Sequence, residues 1–230
     1  MQLGGPMANP WAFGWTPLLT IVGFFVTIGV AYFGFRTFER WKREKIEEKR
    51  IDIAIEALEL AYECQEVFGT IRDPGTFGPE YADMPRRDGE GEPEWRSRGP
   101  FYATLRRVQE HADFFERLAK LRPRYMALFG VPAADSFKLI REARAYVVVS
   151  AQHLCYRPFV GPDAQNQRIR MECDVWDGMA DVYLADYPGV DRVDVRIKSF
   201  VEETERRCRP IIDRTYSARN KKHWWSKKSA

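Results

Sequence analysis

Hydrophobic and polar positions divide the chain into three kinds of stretch: one apolar throughout, one polar on every side, and several apolar on one face only. Residues 17–35, PLLTIVGFFVTIGVAYFGF, run nineteen positions without a charge. A helix of that length rises about 28 Å, which matches a bilayer's hydrocarbon core. Thr16 and Pro17 suit its first turn, because a threonine hydroxyl caps a free N–H and proline has none to lose. The pattern predicts a transmembrane helix over 17–35 behind a short N-terminus, 1–16. Trp11 and Trp15 before the span and Trp41 after it suit the headgroup level. Residues 1–35 hold no basic residue and the first cysteine is Cys64, which disfavours a secretory or lipoprotein signal. Gly23, Thr27 and Ala31 form a small-residue row, a candidate helix–helix face in the membrane.

Residues 36–50, RTFERWKREKIEEKR, carry eleven charges among fifteen positions. A helix polar all round spans solvent or leans on i,i+4 pairs such as Glu39–Arg43. This predicts a charged stalk continuing the span. Seven of those charges are basic, and basic flanks stay on the cytoplasmic side. The expected location is therefore the inner membrane, single-pass, with the N-terminus outside and residues 51–216 in the cytoplasm.

From Ile51 a helical period begins. Ile51, Ile55, Leu58, Tyr62 and Gln65 define one face, with Ala54, Ala61 and Phe68 beside it. Residues 72–100 hold five glycines and five prolines and predict a long loop, with its most mobile part at Arg86–Pro93. Four longer helical patterns come next, over 101–122, 135–156, 168–187 and 191–217, with a short one over 125–129. Pro123 is expected to end the first and Pro210 to kink or interrupt the last. No strand alternation of useful length occurs. The predicted fold is all-α: an N-terminal transmembrane helix continuing into a long stalk helix, then an antiparallel helical bundle.

Chemistry is sparse. Cys64, Cys155, Cys173 and Cys208 are isolated and predict buried, reduced thiols. His153 and Cys155 stand two apart on a helix and point away from each other. No phosphate loop, nucleophile elbow or H-E-x-x-H occurs, and no cofactor or metal is expected. Two acidic faces, Asp52–Glu66 and Asp174, Asp177 and Asp181, have metal-ligand chemistry in principle. Solvated carboxylates or arginine partners account for them more simply.

Charge is unevenly spread. The total of +3 hides a body over 51–216 of net −5, flanked by a stalk of +3 and a tail over 217–230 of +5. In that tail Arg219, Lys221, Lys222, Lys227 and Lys228 surround Trp224 and Trp225. Tryptophan and lysine together suit an anionic lipid surface; base stacking beside lysine makes nucleic acid the competing partner.

The stretches WKREKIEEKRIDIAIEALELAYEC, RGPFYATLRRVQEHADFFERLAKLRPRYMALFG and RRCRPII resemble a group of uncharacterised bacterial membrane proteins. Those have one N-terminal span, a charged stalk and a helical cytoplasmic body. The resemblance implies architecture and bacterial origin, and no activity. The resulting expectation is a membrane-anchored interaction or scaffold protein whose partners are the lipid bilayer and another protein or a second copy. The alternatives are a metal-dependent enzyme on a phosphate-bearing substrate and a membrane-tethered nucleic-acid binder.

Overall fold

A computed structural model of the protein describes residues 15–179 and 191–228, with side chains over 18–179 and 191–214. Among the described residues every regular element is helical. The helices are α1 (Trp15–Ile71), α2 (Glu92–Glu110), α3 (Ala112–Phe129), α4 (Ser136–Tyr156), α5 (Ala164–Val175) and α6 (Arg192–Lys228), with short 3-10 turns at Gly78–Tyr81 and Val131–Asp135. The all-α fold read from the sequence is the fold observed.

The chain divides into two compact units, residues 1–49 and 50–230. In the first, the apolar side chains of α1 from Leu18 to Phe35 are exposed, Phe24, Phe25 and Phe33 among them. This is one helix long and apolar enough to cross a membrane. Past the apolar stretch, ion pairs form along the helix at Arg40–Glu44 (3.2 Å) and Lys45–Glu48 (2.5 Å), rather than at Glu39–Arg43.

In the second unit α1 carries a buried stripe: Ala54, Ala57, Ala61, Cys64, Phe68 and Ile71, each at most 2% exposed. Their 3-4-3-4-3 spacing is the helical period. The stripe is rotated from the face predicted through Ile51, Tyr62 and Gln65. Small residues occupy its centre, and Tyr62 lies outside it with its hydroxyl donating to Glu205 and accepting from Arg209. α4 is central and packs against α2, α5 and α6. Its buried residues Phe137, Ile140, Ala143, Val147 and Leu154 are those predicted. One core joins α1, α3, α4 and α6; a smaller one gathers Met84, Phe101, Leu154 and Val175 beneath Trp95 and Trp176.

Several predicted boundaries are corrected. α2 begins at Glu92, inside the expected loop, because Pro93 falls in the first turn and Glu92 and Glu94 face the positive helix end. α3 runs through Pro123, and α6 through Pro210. Both prolines lie on exposed faces, where water can serve the carbonyl left without an N–H. α5 ends at Val175 instead of continuing to 187; Gly178 takes φ +73° just beyond it. Residues 180–190 lie outside the described residues. α6 continues to Lys228, since nothing after Pro210 breaks a helix and lysines suit a C-terminal end.

The Arg86–Pro93 stretch is anchored at several points. Glu90 accepts both Nε and Nη2 of Arg98 at 2.5 Å, with their side chains only 4% and 7% exposed. Arg87 reaches the Cys155 carbonyl at 2.5 Å.

Candidate functional site

The acidic faces resolve into ion pairs. On α1, Glu56 meets Arg124 of α3 at 2.9 Å and Glu63 meets Arg117, while Asp52, Glu59 and Glu66 face solvent. Asp174 is buried. Its Oδ2 accepts from Ser150 Oγ (2.6 Å) and Arg192 Nη2 (2.5 Å), and its Oδ1 accepts from Arg192 Nε (2.7 Å). That bidentate guanidinium takes up the lone pairs a cation would need. Asp177 is exposed, 3.5 Å from Arg72, and Asp181 lies outside the described residues. No group of three His, Cys, Asp or Glu side chains converges on a common point among the described residues.

All four cysteines are free and buried. Burial pushes the Cys64 thiol up to about 12 and raises Cys155, Cys173 and Cys208 as well. A nucleophilic thiol needs the opposite shift.

Three arginines that sequence reasoning missed organise the body. Arg72, 2% exposed, comes directly after the α1 stripe. It donates to the carbonyls of Asp174 (3.1 Å), Cys173 (2.7 Å) and Trp176 (3.2 Å) and to the Asp191 carboxylate (2.6 Å). The same Asp191 caps α6 by accepting from the N–H groups of Val193 and Asp194. Arg72 thus ties together the end of α1, the end of α5 and the start of α6. Arg98 joins Glu90 to the Cys155 carbonyl (3.2 Å) in the last turn of α4. Arg107 reaches the carbonyls of Thr70 (3.4 Å), Asp73 (2.7 Å) and Gly75 (2.6 Å) at and beyond the end of α1, and the Glu80 carboxylate at 2.9 Å. Each guanidinium supplies donors to carbonyls near a helix C-terminus, the negative end of its dipole. The available signal was spacing: Arg98 stands three positions before buried Phe101 and Arg107 three after buried Thr104, at the two edges of the buried face of α2. Their hydrogen bonds are internal, so they brace the fold.

Cavities lie elsewhere. One of about 570 Å³ sits where α4 ends, between Arg87, Glu94, Arg98, Arg157, Phe159 and Arg168. The same wall holds Asp88, Glu90 and Glu94, and Glu90 pairs with Arg98. A cleft of about 430 Å³ runs between α2 and α4, past Tyr102, Leu105, Val148 and Tyr156. A groove of about 270 Å³ lies between α3 and α4. Its floor is Phe115, Leu118, Phe137 and Ile140, and its rim is Arg122, Lys138, Arg141 and Arg144.

The residues expected at the membrane are placed in part. Trp41 is exposed, with its ring tilted against that of Phe38 at 5.9 Å between ring centres. Gly23, Thr27 and Ala31 are exposed on α1, and the Thr27 hydroxyl donates to the Gly23 carbonyl at 2.8 Å. Trp11 lies outside the described residues, and of Trp15 only the helical backbone is described. Arg219, Lys221, Lys222, Trp224, Trp225, Lys227 and Lys228 belong to the α6 backbone, with side chains outside the description. No protein-family model, curated protein or solved structure matches the chain.

Proposed function

We propose that this is a single-pass inner-membrane protein whose helical body works in the cytoplasm as an interaction or scaffold module. The observation that carries the reading is α1 itself. Its Leu18–Phe35 stretch is apolar and exposed, and past the charged segment the same helix contributes the core stripe of the body. An exposed apolar row of that length is soluble only if something covers it, and a bilayer does so over its full height. The basic residues Arg36 to Arg50 support a cytoplasmic location for the body beyond them. The exposed Trp41 and Phe38 pair supports an interfacial level at the exit of the span. The basic tail with Trp224 and Trp225 supports a second contact with anionic lipid, where each lysine adds about 1 kcal/mol.

The interaction role draws on the body's surface, where the α3–α4 groove joins apolar and charged side chains in one concavity. Two measurements test the reading. Alkaline carbonate extraction of cell membranes should leave the chain in the pellet, and protease added to sealed spheroplasts should spare the body. Release into the supernatant, or external digestion of the body, refutes it. Crosslinking in intact cells should then attach the body to a reproducible protein partner or to a second copy.

A further inference from the structure

We propose that the groove between α3 and α4 is the docking site for an acidic amphipathic helix of a partner protein. The inference rests on the interaction role above and names the chemistry of the partner. Two features of the groove select that occupant. The floor, Phe115, Leu118, Phe137 and Ile140, is apolar and borders a concavity of about 270 Å³, with Phe115 partly exposed and the other three more than nine-tenths buried. That is just below the roughly 300–1,000 Å³ typical of small-molecule pockets, so it suits a few side chains of a docked helix better than a whole substrate. The rim is the second feature. Arg122, Lys138, Arg141 and Arg144 line the groove and no carboxylate does.

That rim stands out against its surroundings. Residues 51–216 carry net −5, and the larger cavity at the end of α4 holds acids among its bases. Here four cations face one concavity with partial answers only. Lys138 pairs with Asp135 outside the groove at 2.7 Å, and Arg144 stacks on the Phe115 ring at 4.5 Å. Arg141 is exposed, and Arg122 Nε is buried without an acceptor. A helix with leucines at i, i+3 and i+4 fills such a floor, and carboxylates beside them meet the rim. The acidic face of α1 in a second copy fits less well: its exposed acids, Asp52, Glu59 and Glu66, sit on a helix whose apolar stripe is already buried in its own core.

The test uses the full chain in phosphatidylcholine nanodiscs. The probe is a fluorescein-labelled, hydrocarbon-stapled Leu/Glu helix, read by anisotropy. Its Leu/Lys counterpart and a sequence-scrambled Leu/Glu peptide serve as controls. Saturable binding of the Leu/Glu helix alone is expected. Arg141→Glu with Arg144→Glu should weaken it about tenfold or more. Ala119→Phe, which plugs the groove from an exposed position, should do the same, whereas Arg170→Glu on the exposed side of α5 should not.

Binding unchanged by the groove variants overturns the proposal, as does equal binding of the Leu/Lys or scrambled peptide. No peptide binding, with retention on phosphatidylglycerol vesicles that the groove variants lose, overturns it in favour of lipid. Self-association that the same variants abolish overturns it in favour of a second copy. Crosslinking in cells separates the two readings. Partners captured equally by the parent and by the Arg141→Glu, Arg144→Glu chain remove the groove and leave the interaction role standing. A chain that captures no partner removes the interaction role itself.

Discussion

Arg72→Met removes one side chain and unsettles three helices. The guanidinium is 2% exposed and donates to three carbonyls and to Asp191. Methionine fills much of the volume, so packing loss is small; the cost comes from acceptors left without donors. Removing one partner of a buried ion pair costs roughly 3–5 kcal/mol. The Asp191 side chain keeps 13% exposure and can recruit water, which places the loss near the lower end, about 3 kcal/mol. For a body of this size each kcal/mol is worth about 2–4 °C, so the midpoint should fall by about 6–12 °C. The assay is thermal unfolding of the full chain in detergent micelles, monitored by circular dichroism. Asp191→Asn sharpens it, because asparagine still caps α6 while losing the charge that faces Arg72. The double variant should lose less than the sum of the single ones, with a coupling of about 1–3 kcal/mol. A midpoint within about 2 °C of the parent for Arg72→Met, or a coupling near zero, would refute the reasoning.

Four further outcomes are expected. A Cβ on Gly99 would stand 2.7 Å from the Tyr81 ring, so Gly99→Ala should cost about 1–3 kcal/mol in the same melt. Gly69→Ala, with nothing within 4 Å, should instead gain about 0.5–1 kcal/mol from helix propensity. Burial raises all four thiols, so a thiol reagent at mildly alkaline pH should label the native chain slowly and all four sites after denaturation; fast native labelling contradicts the core placement. The hydrogen bonds from Arg98 hold Glu90 below its ordinary carboxylate value, so this joint's stabilisation is complete above that value and lost as pH falls through the lowered one. Amide protection over residues 84–91, measured against the intrinsic exchange rate at each pH, should therefore fall on acidification, and Glu90→Gln should abolish that dependence.

The architecture was legible because its largest signals are long and continuous. An uncharged run over 17–35 and a helical period along α4 survive almost any reading of single positions. Finer placement failed where small or charged residues do the packing. The α1 stripe centres on Ala54, Ala57, Ala61 and Cys64, whereas the bulky Ile51 and Tyr62 drew the predicted face aside. Prolines misled where their exposure was unknown: Pro123 lies on a solvent face, and Pro93 lies in a first turn. The Arg86–Pro93 stretch has the composition of a mobile loop, yet Glu90 is held by an arginine eight residues further on. Asp174 was read correctly as an arginine partner and incorrectly as a surface residue. The groove escaped notice because its cations come from two helices and converge only when α3 and α4 are packed.

The Arg72 joint also sets an order of events during synthesis. Its carboxylate partner, Asp191, is 119 positions downstream. A ribosome adding about 5–20 residues per second delivers that partner about 6–24 s after Arg72 itself. Until then a permanent positive charge waits at the end of the α1 stripe, and the α6 side of the core is still unmade. A nascent chain captured in that interval would present Ala54 to Ile71 to whatever chaperone or neighbour is at hand.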